Sequence, residues 1–255
     1  MNRSKIIHLV RHGQALHNVR AEPARAAGCS FEEFLQLMRE DDAVDASLTS
    51  EGIRQAKQVS ELSKTLTPEL CVVSPLSRAI DTSLIVFGHN VPYVCLESLR
   101  ERNGMLLNGQ RLMKEDLTSK YPNINFENIK PGKDISWYHF GSDALETPEA
   151  CSLRAYDSLL WVLDRPETEI AITAHGGLFH QLTTGLPKLV ICDAGTSKRF
   201  HNCELRTVKM TWTMNSQQND EICNGTSQQM GENTSESYES GRVIIKLELV
   251  GESSV

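Results

Sequence analysis

The chain has 255 residues, of which 40% are hydrophobic and 23% charged, and its net charge is −7. That length suits one large α/β domain and is short for two, while an acidic balance without a basic stripe argues against nucleic acid as the main partner. No apolar stretch approaches the length that spans a bilayer, so no membrane partner is expected, and Met1-Asn2-Arg3-Ser4 opens without a signal-peptide pattern, which makes the cytoplasm the expected compartment.

Lys5 to Val10 is a short apolar run that predicts a buried strand ending at Arg11. Ser30-Phe31-Glu32-Glu33 reads as a capping box that opens a helix through about Arg39. Thr49 caps a second helix, with Ile53, Ala56, Val59, Leu62 and Leu66 at helical spacing and Pro68 as its stop. Leu70 to Val73 predicts a second strand. Ser74-Pro75 then starts a helix over 75–87. Val91 to Leu96 is a third strand. Pro148 opens a helix expected to bury Ala150, Leu153, Tyr156, Leu160 and Leu163, Glu169 to Ala174 is a fourth strand, and Gly177 to Leu186 is a helix.

Leu205 to Thr213 and Val243 to Val250 read as two further strands in a hairpin. Between them, residues 214–240 are rich in Ser, Asn, Gln and Glu and hold no Lys or Arg, so they are expected to form a flexible insertion within a single domain spanning 1–255. Two sequons, at Asn224 and Asn233, fall there and read as chance matches. The alternation of strands and helices predicts an α/β fold with a mainly parallel sheet covered on both faces. Seven cysteines without a C-x-x-C pair read as reduced, mostly buried thiols rather than a zinc or redox motif.

Three strand ends carry chemistry-bearing residues. Arg11-His12-Gly13 follows the first strand, Ser74-Pro75-Leu76-Ser77-Arg78 the second, and His175-Gly176-Gly177 the fourth. Ligands of open α/β sheets bind outside the carboxyl ends of the strands, so two arginines and two histidines are expected at one rim. Arginine forks match phosphate oxygens and stay charged, and helix N-termini add backbone donors. A neutral histidine there can attack phosphorus, and the second can stabilise the developing charge. The glycines allow close approach of backbone to phosphate. A metal site is disfavoured because Arg11 abuts His12 and no H-E-x-x-H or H-x-H pattern occurs; a serine nucleophile lacks its G-x-S-x-G elbow.

Leu9-Val10-Arg11-His12-Gly13-Gln14, Asn18, Leu48-Thr49-x-x-Gly52-x-x-Gln55-Ala56, Ser74 to Thr82 and Thr173-Ala174-His175-Gly176-Gly177 together resemble the histidine phosphatase superfamily, which includes the cofactor-dependent phosphoglycerate mutases. Lys120 to Phe126, Trp137 and Phe200-x-Asn202-Cys203-Glu204-Leu205 look closest to a mutase-like subgroup of plants and fungi. The resemblance implies a three-layer α/β/α sandwich, mostly parallel with an antiparallel edge. It implies a phosphohistidine at His12, a phosphate pocket of Arg11, Arg78 and His175, and pocket contributions from Asn18, Gln14 and Gly176. The general acid is expected at Glu101, with Glu97 as the alternative.

The expected activity is that of a metal-independent, histidine acid phosphatase-type phosphomonoester hydrolase without a cofactor. Its partner would be a small-molecule phosphomonoester, and the sequence sets no oligomeric state. The Phe-Thr-Gly-Trp stretch of family mutases is missing from Val19 to Ala46, which favours hydrolysis over a mutase. A non-catalytic phosphate binder is the third reading, and retention of Arg11, His12, Arg78 and His175 weighs against it. Residues 20–47 and 103–147 are expected to wall the pocket. Arg20, Arg25, Arg102 and Arg111 are candidates for a further phosphate or a carboxylate, or else surface charges.

Overall fold

The computed structural model describes residues 4–214 and 243–253. The expected insertion, its sequons and Cys223 therefore lie outside the described residues, apart from Met214. The elements follow in chain order as β1 (Ser4–Arg11), α1 (Asn18–Ala26), α2 (Phe31–Glu40), α3 (Ser50–Leu62), β2 (Leu70–Val73), α4 (Ser77–Phe87) and β3 (Tyr93–Cys95). Then come α5 (Lys114–Lys120), β4 (Ile124–Asn125), α6 (Ile135–Phe140), α7 (Pro148–Leu163), β5 (Glu169–Ala174), α8 (Gly176–Thr184), β6 (Val190–Cys192), β7 (Leu205–Met214) and β8 (Val243–Ser253).

The described strands form one sheet in the order β4-β3-β2-β5-β1-β7-β8-β6. Side chains alternate across it, as the twofold period of a strand requires. Ile7 and Leu9 of β1, Leu70 and Val72 of β2, and Ile170 and Ile172 of β5 share a core with Tyr156 and Leu159 of α7 and Phe179 of α8. The alternate residues face the other way. Val10 packs with Ala56 and Val59 of α3 and Val86 of α4, while Cys71, Val73 and Ala171 pack with Ile80 of α4 and Leu117 of α5. Helices thus cover both faces of a three-layer α/β/α sandwich.

β1 to β5 are mutually parallel where they pair, and β7 runs antiparallel to both β1 and β8. The expected hairpin is present, but it does not end the sheet. β6 pairs in parallel with β8 beyond it, so the antiparallel strand lies inside the sheet.

Two helix starts match their expected caps. Ser30 and Glu33 form both bonds of the capping box, and Thr49 Oγ1 accepts from Gly52 N at 3.0 Å. On α3, Ala56 and Val59 are buried but Ile53 and Leu62 are exposed. The buried face of α7 is also rotated from the expected one. Tyr156 is buried as expected, but Ala150 is exposed, and Cys151, Ser152, Ala155, Ser158, Leu159 and Val162 complete the inner face. The reason is close packing of α7 on α8: a Cβ on Gly185 would lie 1.9 Å from Ser152 Oγ. Small residues, polar ones included, set that interface, so a search for large apolar residues misses it. Helix α1, strands β4 and β6, and the short helices α5 and α6 have no counterpart among the expected elements.

Candidate active site

β2, β5 and β1 lie side by side. Arg11 pairs with Ala174, and Val73 with Thr173, so the three carboxyl ends stop at one level. The residues that follow these strands meet there. His12 and His175 have ring centroids 5.0 Å apart. Both are fully or nearly fully buried, as are Arg11 and Arg78.

The backbone of His12 is held from two sides. Its N–H donates to Ala174 O at 3.0 Å, and its carbonyl accepts from Cys203 N at 3.1 Å. Gly13 packs directly on α3, where a Cβ would lie 2.6 Å from Gly52 O. Gly13 N donates to Thr82 Oγ1 at 3.0 Å. This contact holds the loop that carries His12 between α3 and α4.

Hydrogen bonding fixes the tautomer of His12. Nδ1 lies 2.7 Å from Gly13 O, which only accepts, so Nδ1 carries the proton. Nε2 is left with a lone pair, and Arg78 Nε donates to it at 3.3 Å. Burial first, then the charges of Arg78 and Arg11, holds the His12 imidazole well below its ordinary pKa. Burial and Arg78 do the same for His175. Both rings are neutral in this field. Arg78 is itself lowered by burial to about 10 and stays charged at neutral pH.

The two arginines are braced by main chain. Arg11 Nη1 donates to Phe200 O at 2.7 Å and Nη2 to the carboxylate of Glu22. Arg78 Nη1 donates to Asn108 O at 2.7 Å. Asn108 is fixed by Asp42, which accepts from its N–H and its side-chain amide. Asp45 accepts from Ser77 N and Ser77 Oγ, which anchors the first turn of α4 beside Arg78. His175 Nε2 and Ser74 Oγ share a hydrogen bond of 2.7 Å. With those bonds made, four buried nitrogens around His12 have no partner among the described residues: Arg11 Nε, Arg78 Nη2, His175 Nδ1 and His17 Nδ1.

Both glycines of the His175-Gly176-Gly177 stretch are required by side chains that press on them. A Cβ on Gly176 would lie 2.9 Å from Arg11 Nε, and one on Gly177 would lie 2.3 Å from Glu101 Oε1. Glu101 Oε2 accepts from Gly177 N at 2.9 Å at the start of α8, and Oε1 accepts from Arg102 N at 3.1 Å. Glu97 is elsewhere, in ion pairs with Arg100 and Arg111.

A cleft of about 800 Å³ opens over this cluster. Arg11, His12, Asn18, Glu101 and Gly176 line it, as expected from the sequence. Gln14 does not join them: its Oε1 accepts from Thr49 Oγ1 at 2.8 Å, and it lines an adjoining groove with Gln55 and Asn202. The wall comes from both expected segments, with Phe31, Phe34, Leu35 and Met38 from α2 and Leu106 and Leu145 from the later loops. His17, Glu22, Asn108, His180 and Arg199 also line the cleft and were not singled out. One signal was available: Asn18, Glu22 and Arg25 stand at spacings of four and three, the same face of a helix. Among the described residues, no cluster of His, Cys, Asp or Glu has the arrangement to hold a metal ion.

Residues 7–218 match the histidine phosphatase superfamily (branch 1). A phosphoglycerate mutase-like protein of Arabidopsis thaliana is 28% identical, with 82% of this chain and 85% of the relative covered. Phosphoglycerate mutase-like protein 1 of the same plant is 30% identical, with 82% of each covered. Glucosyl-3-phosphoglycerate phosphatase of Mycobacterium tuberculosis is 25% identical over 75% of this chain and 79% of its own. The solved structure of mycobacterial hydrolase 2 shares the fold with a TM-score of 0.52 at 21% identity, covering 83% of this chain and 84% of that one. By sequence match, by motif order and by fold, the chain belongs to the histidine phosphatase superfamily.

Proposed function

We propose that the chain is a phosphomonoester hydrolase working through a phosphohistidine at His12 Nε2, without a metal or cofactor. The observation that carries this reading is the set of four buried nitrogens, unpartnered among the described residues, around a histidine whose Nε2 lone pair is unprotonated and turned toward Arg78. A buried polar group left unsatisfied costs about 1–3 kcal/mol, and a bound phosphoryl group offers oxygens to all four. Arg11 and Arg78 supply the fixed positive charge that a metal supplies elsewhere.

In the first step the Nε2 lone pair attacks phosphorus, an N–P bond forms and the bond to the ester oxygen breaks. Glu101 gives its proton to that oxygen, so an alcohol leaves. In the second step the Glu101 carboxylate takes a proton from water, the oxygen attacks phosphorus, and the N–P electrons return to Nε2 as inorganic phosphate departs. His175 and His17 donate to the equatorial oxygens as charge develops. For His175 this requires its proton on Nδ1, with Nε2 accepting from the Ser74 hydroxyl.

Hydrolysis is preferred to isomerisation because Val19 to Ala46 folds as α1 and α2 and lacks the mutase stretch. The relatives carry both kinds of name, mutase-like and phosphatase. The reaction would take place in a single domain in the cytoplasm. The test is product analysis with a monophosphoglycerate, with and without the bisphosphate, and with a generic phosphomonoester in the presence of chelator. Release of inorganic phosphate that is lost in His12→Ala and unaffected by chelator is expected. Efficient isomerisation dependent on bisphosphate would replace the hydrolase reading with the mutase one.

A further inference from the structure

Of the four arginines flagged in the sequence, three are spent on the protein itself. Arg20 pairs with Asp41 and Glu40 at the surface. Arg111 is buried against Glu97 and the carbonyls of Leu112, Gly132 and Lys130. Arg102 donates from Nε and Nη2 to Glu146 O. Among the described residues, Arg25 alone of the four has neither a hydrogen bond nor an ion pair.

Arg25 lies in the cleft, half-buried, with its guanidinium carbon 3.8 Å above the centre of the Phe34 ring. A cation on an aromatic face is oriented but not neutralised. The nearest carboxylate on its own helix, Glu22, is engaged by Arg11. Arg199 lines the same cleft, also without a partner among the described residues; burial first and then the charge of Arg199 push the Arg25 pKa down, against the opposing pull of Glu22 and Glu101. His180 completes the group, with a buried Nδ1 that has no partner. Two cations and an unpartnered imidazole therefore line one space in which, among the described residues, no anion hydrogen-bonds to them. Arg199 is exposed and Arg25 and His180 are half-buried, so the like charges are held at the mouth of the cleft, where an anion would relieve their repulsion.

Their place along the helices sets a length. Asn18 of α1 stands beside the phosphate end and Arg25 seven residues later, which is roughly 10 Å along the helix axis. The cleft has an apolar wall of Phe31, Phe34, Leu35 and Met38, to which Leu106 and Leu145 add.

We infer that Arg25, Arg199 and His180 form a second anion subsite, and that the substrate is a phosphomonoester with an apolar body bearing a second anionic group, a carboxylate or another phosphate, about 10 Å from the first. The inference takes the phosphate end of the cleft from the proposed function. A planar or aromatic body matches the Phe31–Phe34 wall.

Three phosphonates that cannot be hydrolysed test the subsite by calorimetric titration: biphenyl-4-phosphonate, its 4′-carboxy derivative and the 4,4′-bisphosphonate. The second anionic group is expected to tighten binding to the unmodified protein by about tenfold or more. In Arg25→Ala/Arg199→Ala the advantage should fall to about threefold or less, and in Arg25→Lys/Arg199→Lys most of it should remain. The ratio of affinities is read within each protein, so a general loss of binding does not mimic the result. An unmodified protein that binds all three probes equally, or an advantage that survives the double alanine variant, overturns the inference. Hydrolysis of biphenyl-4-yl phosphate is measured alongside. Its absence would refute the phosphohydrolase reading and leave the affinity ratio to decide the subsite on its own.

Discussion

In Gly177→Ala the new Cβ would lie 2.3 Å from Glu101 Oε1 and 2.9 Å from Glu101 Cδ. Ordinary contact begins near 3.4 Å, so the carboxylate must retreat by roughly 1 Å, a misplacement that at a reacting group costs on the order of 10²-fold. The obstructing atoms are the far end of a flexible side chain, so the backbone can stay where it is. Alanine is also the better helix former by up to about 1 kcal/mol, and α8 should melt no earlier than before. What is lost is the 2.9 Å bond from Gly177 N to Glu101 Oε2 and the carboxylate position that goes with it. The assay compares two substrates by kcat/KM, which in the proposed reaction ends at formation of the phosphoenzyme. An alkyl phosphate needs a proton on its leaving oxygen, so its kcat/KM should fall roughly 10²-fold. A p-nitrophenyl ester leaves as a stable anion and should lose no more than about threefold. Glu101→Gln should give the same split, and Gly251→Ala, whose Cβ would meet nothing within 4 Å, should change neither substrate. Equal losses on both esters, or no loss on either, would refute the assignment of Glu101 as the acid.

Other perturbations separate structure from chemistry. Gly52→Ala places a Cβ 2.1 Å from Gln14 O, a backbone atom that cannot swing away; a loss of about 2–3 kcal/mol and a melting point lower by about 5–10 °C are expected by calorimetry. His17→Phe removes an unpartnered buried nitrogen, so stability should hold or rise while KM for a phosphomonoester increases about tenfold to a hundredfold; a stability loss with unchanged KM would contradict the proposed role. His12, His17 and His175 are all held well below the ordinary imidazole value of 6.5, by burial first and then by Arg78. As pH falls below 6.5, the unfolded chain binds protons on these rings that the folded chain refuses, so stability should fall. The loss at about pH 5 is at most about 2 kcal/mol per ring. Asp45, raised by burial to about 6, keeps a proton in the folded state and offsets part of that loss. Denaturant titrations at about pH 7.5 and about pH 5 measure the balance, and a rise in stability toward pH 5 would contradict it.

Much of the site was legible because strand ends are local features. A short apolar run followed by a polar residue and a glycine marks where a β-strand delivers side chains to the rim. Arg11, His12 and His175 were found that way, and Arg78 by the Ser74-Pro75 helix start after the second strand; their shared rim follows from the neighbouring places of β2, β5 and β1. Caps at Ser30 and Thr49 were equally local. What lay beyond reach depends on which surface a helix is pressed against. Helix α1 carries Pro23 inside it and has no acidic residue in its first turn, so its helical character was faint, and with it the inward placing of His17 and Glu22. His180 sits one turn beyond Gly176 on α8, and its direction became readable only once Gly176 was placed on Arg11. Arg199 and Asn108 lie in connecting segments, where periodicity carries no information. The burial of small polar residues on α7 was missed for a different reason: tight helix contacts select for size before polarity.

Arg11 donates its amide to Glu204 O, its guanidinium reaches Phe200 O, and the His12 carbonyl accepts from Cys203 N. The guanidinium contact joins residues 189 positions apart in the chain. A chain growing on a ribosome therefore carries His12 long before it can seat it, because the segment through Glu204 has yet to emerge. Until then His12 lacks one of its two walls, and Arg11 has no carbonyl to aim it. Catalytic competence would thus arrive late in synthesis and abruptly. A shortened product ending before Phe200 would keep Arg11, His12, Arg78 and His175 and still have no assembled site.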